Sequence, residues 1–255
     1  MAVLLESQGL TKNFGKLCAV DQVDYSINEG CAYGIIGPNG SGKTTFFNLL
    51  SGYYQPSSGH IHYDGNDITR STSHSRSGMG IARTFQLVSV FESMSVWENL
   101  VLSTLRFKRE GPPKAGPFFF RKANHEETLA ACMDALRTVG LEAKADKQTA
   151  VLSYGDKRLL EIAIVLSLEP RLLLLDEPFA GLSDYEIGFI MDLIQSLKGK
   201  FTLIIIEHKI SKLVTLVEKL SVLHNGAIIC ADSPDAVLEN AGVRDVYWGQ
   251  GVSRD

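Results

Sequence analysis

The chain has 255 residues, of which 45% are hydrophobic and 21% charged, and its formal net charge is −4. This composition is typical of a globular protein with a sizeable core, and it argues against a disordered chain and against a broad basic face for nucleic acid. The four cysteines form no CxxC pair, so we expect neither a disulfide framework nor a zinc site. We also expect no secretion signal and, because no apolar run reaches the ~18 residues that a spanning helix needs, no membrane span.

The first part of the chain predicts strands, then a glycine-rich turn and a helix. Residues 2–30 alternate apolar and polar positions around turn signals, which predicts short antiparallel strands. Residues 32–36 predict a buried strand, and residues 44–50 predict a helix that follows the glycine-rich turn. Further strands are predicted at 59–63 and 80–85.

The second part predicts helices that alternate with buried strands. The apolar spacing of residues 125–139 and 156–169 predicts two helices. Two short apolar runs, at 172–175 and 203–206, predict strands buried on both faces, as in a parallel sheet covered by helices. The stretch 184–198 between them predicts a helix and completes a β-α-β unit.

Together these elements predict one α/β domain with a parallel-centred sheet, an N-terminal antiparallel β layer and a helical subdomain. We place the core at about residues 1–88 and 171–255, and the helical subdomain at about residues 89–170. Within the subdomain, residues 109–124 combine glycine, proline, basic residues and three phenylalanines. This segment predicts a surface excursion and not a domain boundary.

A phosphate-binding motif lies between the predicted strand and helix. The segment from Gly37 to Thr44 reads GPNGSGKT and matches the pattern GxxxxGK[ST]. Its glycines let successive backbone N–H groups turn toward phosphate, and the following helix adds its positive end. We expect Lys43 to reach the β- and γ-phosphates and the Thr44 hydroxyl to hold Mg²⁺. The motif predicts nucleoside triphosphate binding without naming the reaction, since kinases and GTPases share it. The residues assigned to this site are Gly37, Pro38, Asn39, Gly40, Ser41, Gly42, Lys43, Thr44 and Thr45.

Further candidate residues stand at the ends of predicted strands, where open α/β sheets hold their ligands. We assign Asp176 to the Mg²⁺ shell through water, and Glu177 to the role of general base or polariser of the attacking water. Gln86 could sense Mg²⁺ or that water through its amide, and His208 could donate a hydrogen bond to the γ-phosphate. A lone glutamine or histidine past a strand is more often structural, so both assignments depend on the wider pattern.

That wider pattern resembles the ABC-transporter ATPases. The segment 152–156 reads LSYGD and is similar to the ABC signature LSGGQ, and the other motifs follow in the family's order. The resemblance implies a P-loop NTPase fold of the ABC ATPase type that binds and hydrolyses ATP with Mg²⁺. It implies that Ser153 and Gly155 close on the ATP of a second ABC ATPase subunit, in a head-to-tail homodimer or heterodimer. It also implies that Phe14 stacks on adenine, that Gln86 is the Q-loop residue and that His208 is the switch histidine.

Two departures from the family pattern stand close to these motifs. Tyr154 and Asp156 replace the usual Gly and Gln of the signature, although the Ser153 and Gly155 positions are kept. Ser183 stands in the D-loop, at 180–183, where many members have Asp. Neither departure removes a phosphate ligand or the base, so we expect an active ATPase.

Softer signals indicate the branch of the family. Residues 80–86, 91–100, 109–124 and 246–249 are similar to the ATPases of branched-chain amino-acid importers. This resemblance implies uptake of branched-chain or hydrophobic amino acids through separate membrane permeases, together with a substrate-binding protein and without a nucleic-acid partner. It implies a peripheral position on the cytoplasmic face of the cell membrane. Urea or short-amide import and lipopolysaccharide export are alternatives, as are a soluble ABC ATPase outside transport and a nucleotide-regulated binding module with negligible turnover.

Apolar residues just after Gln86 have two interpretations. Phe91, Met94, Val96 and Trp97 could line a groove that receives a helix of the membrane subunit. The alternative is that they are ordinary core residues.

Overall fold

The structure is a computed structural model, and it describes residues 2–84, 89–108 and 125–248. Gln86 and the predicted surface excursion at 109–124 therefore lie outside the described residues.

An antiparallel sheet forms the N-terminal layer. Strands β1 (Val3–Phe14) and β2 (Leu17–Asn28) are each 12 residues long and pair with each other. Strands β4 (Ser58–Tyr63) and β5 (Asn66–Asp67) complete the order β2-β1-β4-β5. The layer agrees with the prediction, but the short strands expected within residues 2–30 are wrong. The hairpin turn between the two strands lies at Gly15 and Lys16, where the sequence has a turn signal, and register shifts within the pair accompany strands that are longer than predicted.

A second, mostly parallel sheet forms the centre of the molecule. Its order in the described residues is β10-β9-β3-β8-β7-β6, and only β10 runs antiparallel to its neighbour. The strands predicted at 32–36, 172–175 and 203–206 are confirmed as β3, β7 and β8, whereas β9 and β10 are not predicted. The bounds are β3 (Ala32–Ile36), β6 (Ile81–Arg83), β7 (Leu172–Asp176), β8 (Thr202–Ile206), β9 (Lys219–His224) and β10 (Ala227–Asp232).

Helices cover this sheet, and further helices form the stretch in the middle of the chain. The helix predicted at 156–169 begins and ends earlier, at 154–166. It begins there because Ser153 caps it: the Ser153 hydroxyl accepts a hydrogen bond from the Asp156 N–H. The described helices are α1 (Lys43–Leu50), α2 (Ser73–Gly78), α3 (Val96–Lys108), α4 (His125–Thr138), α5 (Tyr154–Leu166), α6 (Asp184–Leu197), α7 (Ile210–Leu213), α8 (Pro234–Glu239) and α9 (Ala241–Trp248). Among these described helices we find none that is long and apolar enough to cross a membrane.

The central strands are buried on both faces because their side chains alternate between two cores. In β7, Leu172 and Leu174 pack with the N-terminal sheet and α1, whereas Leu173 and Leu175 pack with the covering helices and the helical region. All residues of β3, β7 and β8 are buried. This explains why the parallel strands appear in the sequence as unbroken apolar runs.

The helices α3, α4 and α5 contact one another within the stretch predicted as the helical subdomain. The boundaries of that subdomain stay a prediction. Val96 is fully buried in the core, and Trp97 is partly buried against it. Phe91, by contrast, is 56% exposed, so the segment after Gln86 supplies both core residues and an apolar surface.

Candidate nucleotide site

The phosphate loop follows directly from the buried strand β3 and ends at α1. The chain has no room for a side chain where it leaves β3, since a Cβ at Gly37 would lie 2.2 Å from the carbonyl oxygen of Leu223 in β9. Lys43 opens α1 and is buried, and its ammonium group donates hydrogen bonds to the carbonyl oxygens of Gly37 (2.7 Å) and Pro38 (3.0 Å). Burial lowers the pKa of Lys43, although the nearby carboxylates of Glu177 and Asp176 oppose the shift.

The loop borders a cleft of about 570 Å³ that also contains residues distant in the sequence. Phe14 lies at its edge, and Glu177 and His208 reach it from the ends of β7 and β8. The structure therefore brings these three predicted residues together with Asn39, Gly40, Ser41, Gly42, Lys43, Thr44 and Thr45. The cleft is also lined by Leu17, Cys18, Ala19, Asn225 and Gly226, which carry no motif and were not predicted.

Phe14 offers a supported aromatic surface to the cleft. Its side chain is 43% exposed, and Tyr54 packs against it edge-on with the ring centroids 5.4 Å apart. The ammonium group of Lys12 lies 5.2 Å from the centroid of the Phe14 ring. These contacts hold the ring on one side while the cleft remains open beside it, which suits stacking against a nucleobase.

Asp176 is the last residue of β7, and its carboxylate is almost fully buried. Its side chain is 2% exposed, and its Oδ2 atom accepts a hydrogen bond of 2.7 Å from the guanidinium group of Arg83. The other oxygen, Oδ1, has no hydrogen-bond partner among the described residues. Arg83 was not predicted as a site residue, because within the stretch 80–86 only Gln86 was assigned a role.

Glu177 stands in an unusual backbone conformation at the end of β7. Its φ angle is 47°, a left-handed value that costs free energy for a residue with a side chain. Arg158, buried in α5, holds this turn by donating hydrogen bonds of 2.8 Å to the carbonyl oxygens of both Asp176 and Glu177. The Glu177 Oε1 atom lies 3.1 Å from Nε2 of His208, so the predicted base and the predicted switch histidine are hydrogen-bonded.

A buried carboxylate beside Glu177 and His208 was also not predicted from the sequence. Glu207 is 3% exposed and accepts hydrogen bonds from the backbone N–H groups of Phe179, His208 and Lys209. Burial raises the pKa of Glu207, while those three hydrogen bonds act in the opposite direction. Glu207 thus fixes the backbone around His208 and joins it to the turn after Glu177.

The predicted signature residues lie away from the cleft. Ser153 and Gly155 open α5 and are absent from the cleft lining, although both belong to the predicted nucleotide set. The carboxylate of Glu186 accepts hydrogen bonds from the hydroxyl and the backbone N–H of Ser183, which lower the pKa of Glu186, and its other oxygen lies 2.5 Å from where a Cβ at Gly155 would stand. Asp156, which stands in place of the usual Gln, forms an ion pair of 2.6 Å with Lys144.

The arrangement has the chemistry of a nucleotide-hydrolysing site. Backbone N–H groups at a helix start and a buried lysine can bind phosphates, and an exposed aromatic ring can bind a base. A carboxylate that is hydrogen-bonded to a histidine can accept a proton from water. The buried oxygen Oδ1 of Asp176 can bind a cation or a water molecule of that cation.

Comparisons with known proteins agree with this chemistry. The sequence profile of the ABC transporter family matches residues 20–180. The high-affinity branched-chain amino acid transport ATP-binding protein BraF of Pseudomonas aeruginosa is 36% identical over 252 residues, which cover 97% of this chain and 98% of BraF. The corresponding protein LivG of Escherichia coli is 34% identical over 256 residues, with 97% and 98% covered. The lipopolysaccharide export system ATP-binding protein LptB of Acidithiobacillus ferridurans is 34% identical over 250 residues, with 98% of both chains covered.

Solved structures share the fold. The ADP conformation of an ATP-binding cassette of an ABC transporter matches with a TM-score of 0.84 and 29% identity, and the match covers 98% of this chain and 100% of that one. A nucleotide-free cassette matches with a TM-score of 0.83 and 30% identity over the same shares. With motifs, fold and relatives in agreement, the chain belongs to the ABC transporter family and is an ATP-binding, ATP-hydrolysing subunit of that family.

Proposed function

We propose that the chain binds Mg-ATP in the cleft and hydrolyses it at the interface of two subunits, and that this drives a transporter. The observation that carries the proposal is the division of the predicted site. The loop, Phe14, Glu177 and His208 share one cleft, whereas Ser153 and Gly155 open a helix outside it. A second ABC ATPase subunit, identical or paralogous and arranged head to tail, would present its own Ser153 and Gly155 to the γ-phosphate.

The residues present fit Mg²⁺. Asp176 offers the buried oxygen Oδ1, which has no partner among the described residues, and Thr44 lines the cleft. The described residues contain no group of three or more His, Cys, Asp or Glu that could hold a metal ion, and this agrees with a cation bound mainly by phosphate oxygens and water. Bound Mg²⁺ would neutralise charge on the β- and γ-phosphates. Gln86 keeps its predicted role as a further ligand or sensor.

In the proposed reaction Glu177 takes a proton from water while the water oxygen attacks the γ-phosphorus. The bond between that phosphorus and the β–γ bridging oxygen breaks, and ADP and inorganic phosphate result. Lys43 stabilises the negative charge on the transferring group. His208 is hydrogen-bonded to Glu177 at 3.1 Å in this structure, and when nucleotide is bound it would donate to the γ-phosphate instead.

Phosphate release by the purified chain tests the proposed chemistry. Wild-type protein should release phosphate from Mg-ATP, and Lys43→Ala should lower the rate on the order of 100-fold, because a single charge-stabilising donor is lost. Lys200→Ala is the matched control, since Lys200 is exposed and absent from the cleft lining. A wild-type chain that binds ATP without turnover would favour the nucleotide-regulated binding module.

The proposed cargo is branched-chain or hydrophobic amino acids, moved by separate permeases with a substrate-binding protein while this chain lies on the cytoplasmic face of the membrane. The named transport roles of BraF and LivG support this proposal. Lipopolysaccharide export is the second candidate, because LptB is as similar as LivG. Affinity capture from native membranes, followed by uptake of radiolabelled leucine in cells lacking the gene, separates them. Amino-acid permeases and reduced uptake support import, whereas capture of export components with normal uptake supports the second candidate.

A further inference from the structure

Arg83 joins three elements around the carboxylate of Asp176. It is the last residue of β6, and its side chain is 8% exposed. One guanidinium nitrogen donates to Asn48 Oδ1 (2.6 Å) and Ser51 Oγ (3.2 Å), at the end of the helix that begins with Lys43. The other donates to Asp176 Oδ2 at 2.7 Å. The guanidinium group also lies over the ring of Phe47, 5.5 Å from its centroid.

This network fixes which oxygen of Asp176 is available. A carboxylate on a free side chain can rotate about its terminal bond, so its two oxygens can exchange places. Here Oδ2 is engaged by a planar guanidinium group that is itself held by two atoms of α1 and its C-terminal cap. Oδ1 is thereby left buried and without a partner among the described residues. The planar fork of arginine can satisfy these partners together, which a lysine ammonium on a flexible stem cannot do in the same geometry.

We propose that Arg83 is a positioning residue for the metal of bound Mg-nucleotide: it holds Asp176 Oδ2 so that Oδ1 faces the cation or its water. The inference rests on the proposed function, because it requires Mg-nucleotide in the cleft. It adds a residue that stands outside the predicted site residues and does not line the cleft. Partners that orient a metal ligand in this way affect metal affinity about 10- to 100-fold when they are replaced.

The test must separate orientation from charge, since removing a positive charge near a cation would by itself favour metal binding. Arg83→Lys keeps the charge and loses the planar fork. Asn48→Ala leaves every charge in place and removes one of the atoms that hold the guanidinium group. Arg137→Lys is the matched control, since this α4 arginine forms only exposed ion pairs in the described structure.

Binding of a fluorescent non-hydrolysable ATP analogue is measured first in EDTA and then as Mg²⁺ is added. We expect Arg83→Lys to raise the Mg²⁺ concentration for half-maximal enhancement roughly tenfold. Asn48→Ala should raise it less, and binding in EDTA should stay within about twofold of wild type. A purely structural role would weaken binding equally with and without Mg²⁺, and that result overturns the proposal.

An unchanged Mg²⁺ requirement in Arg83→Lys also overturns it, and if that variant does not fold, Asn48→Ala decides in the same way. These failures differ from failure of the proposed function. If wild-type protein itself shows no Mg²⁺-dependent binding of the analogue, the nucleotide site is wrong. If wild type responds to Mg²⁺ and the variants match it, only the role of Arg83 is wrong.

Discussion

At the scale of single residues, Phe14 provides a surface and not a directional contact. The ring is 43% exposed and is supported by Tyr54 and Lys12, so its contribution to nucleotide binding should come from stacking alone. Stacking of a base on an aromatic side chain is worth about 1–3 kcal/mol. We predict that Phe14→Ala weakens ATP binding roughly tenfold while Phe14→Tyr binds like wild type, as measured by calorimetry. Equal affinity of the alanine variant would show that the base binds elsewhere.

Gly37 illustrates a residue whose missing side chain is itself required. A Cβ there would lie 2.2 Å from the Leu223 carbonyl oxygen and 2.5 Å from Ser41 Oγ, so the phosphate loop would have to move. We predict that Gly37→Ala lowers ATP affinity at least about tenfold, since a loop shift disturbs several phosphate contacts together. Gly188→Ala is the control: nothing lies within 4 Å of its added Cβ, and alanine in a helix should stabilise the fold by up to about 1 kcal/mol. Normal ATP binding by Gly37→Ala would contradict the loop geometry.

The site residues that could be predicted from the sequence are those whose chemistry is concentrated in short motifs. Gly37 to Thr45, Asp176 and Glu177 have this property. Arg83 and Arg158 do not, because their contacts with Asp176 span sequence separations of 93 and 18 residues. Such contacts exist only after the sheet has formed. Neither Arg83 in a predicted strand nor Arg158 in a predicted helix gives any sign of them in the sequence.

At the scale of elements, one buried amide ties the segment after Gln86 to two others. Asn99 in α3 is fully buried. Its amide oxygen accepts a hydrogen bond from the Phe91 N–H, and the two hydrogens of its amide nitrogen are shared among Phe91 O, Ser95 O and Thr149 Oγ1, all within 3.0 Å. The 3-10 turn at Thr149 leads to Ser153 and the start of α5. Asn99 is therefore one of several links between the segment that follows Gln86 and the signature helix, beside the ion pair of Lys157 in α5 with Glu92.

We predict that Asn99→Ala lowers the free energy of unfolding by about 2–4 kcal/mol, because it removes a buried side chain and takes the hydrogen-bond partner of both the Phe91 N–H and the Thr149 hydroxyl. Thr149→Val removes only one of these hydrogen bonds and should cost about 1 kcal/mol. Urea denaturation of both variants measures the difference. If the two substitutions cost the same, the tie at Asn99 carries no more than one hydrogen bond.

Elements were predictable where burial imposes a simple pattern. The runs at 172–175 and 203–206 are buried on both faces, and each is followed by catalytic candidates. Strand β9 mixes Lys219 and Ser221 with apolar residues, and α7 is only four residues long, so neither has a clear period. Strand β9 is positioned by pairing with β3, and α7 by packing against it. A local sequence pattern carries no information about such contacts.

At the scale of the whole molecule, the cleft contains only part of the predicted site. The cleft holds the loop, Phe14, Glu177 and His208, and the start of α5 lies outside it. The resemblance to the ABC family predicts the second subunit, and the position of Ser153 and Gly155 outside the cleft is consistent with that prediction. The order of motifs in the sequence was sufficient to identify the family. The cargo and the partners could not be predicted in the same way, because they depend on surfaces of other proteins.

The most direct measurement is the solution mass of the Glu177→Gln chain by light scattering, with and without Mg-ATP. Without its base this variant should retain ATP, and each ATP should join the loop of one subunit to Ser153 of the other. We predict twice the mass of a single chain with Mg-ATP and a single chain without it, and the further change Ser153→Arg should abolish the dimer. A chain that stays monomeric while saturated with ATP, or that pairs equally well without nucleotide, would contradict the account.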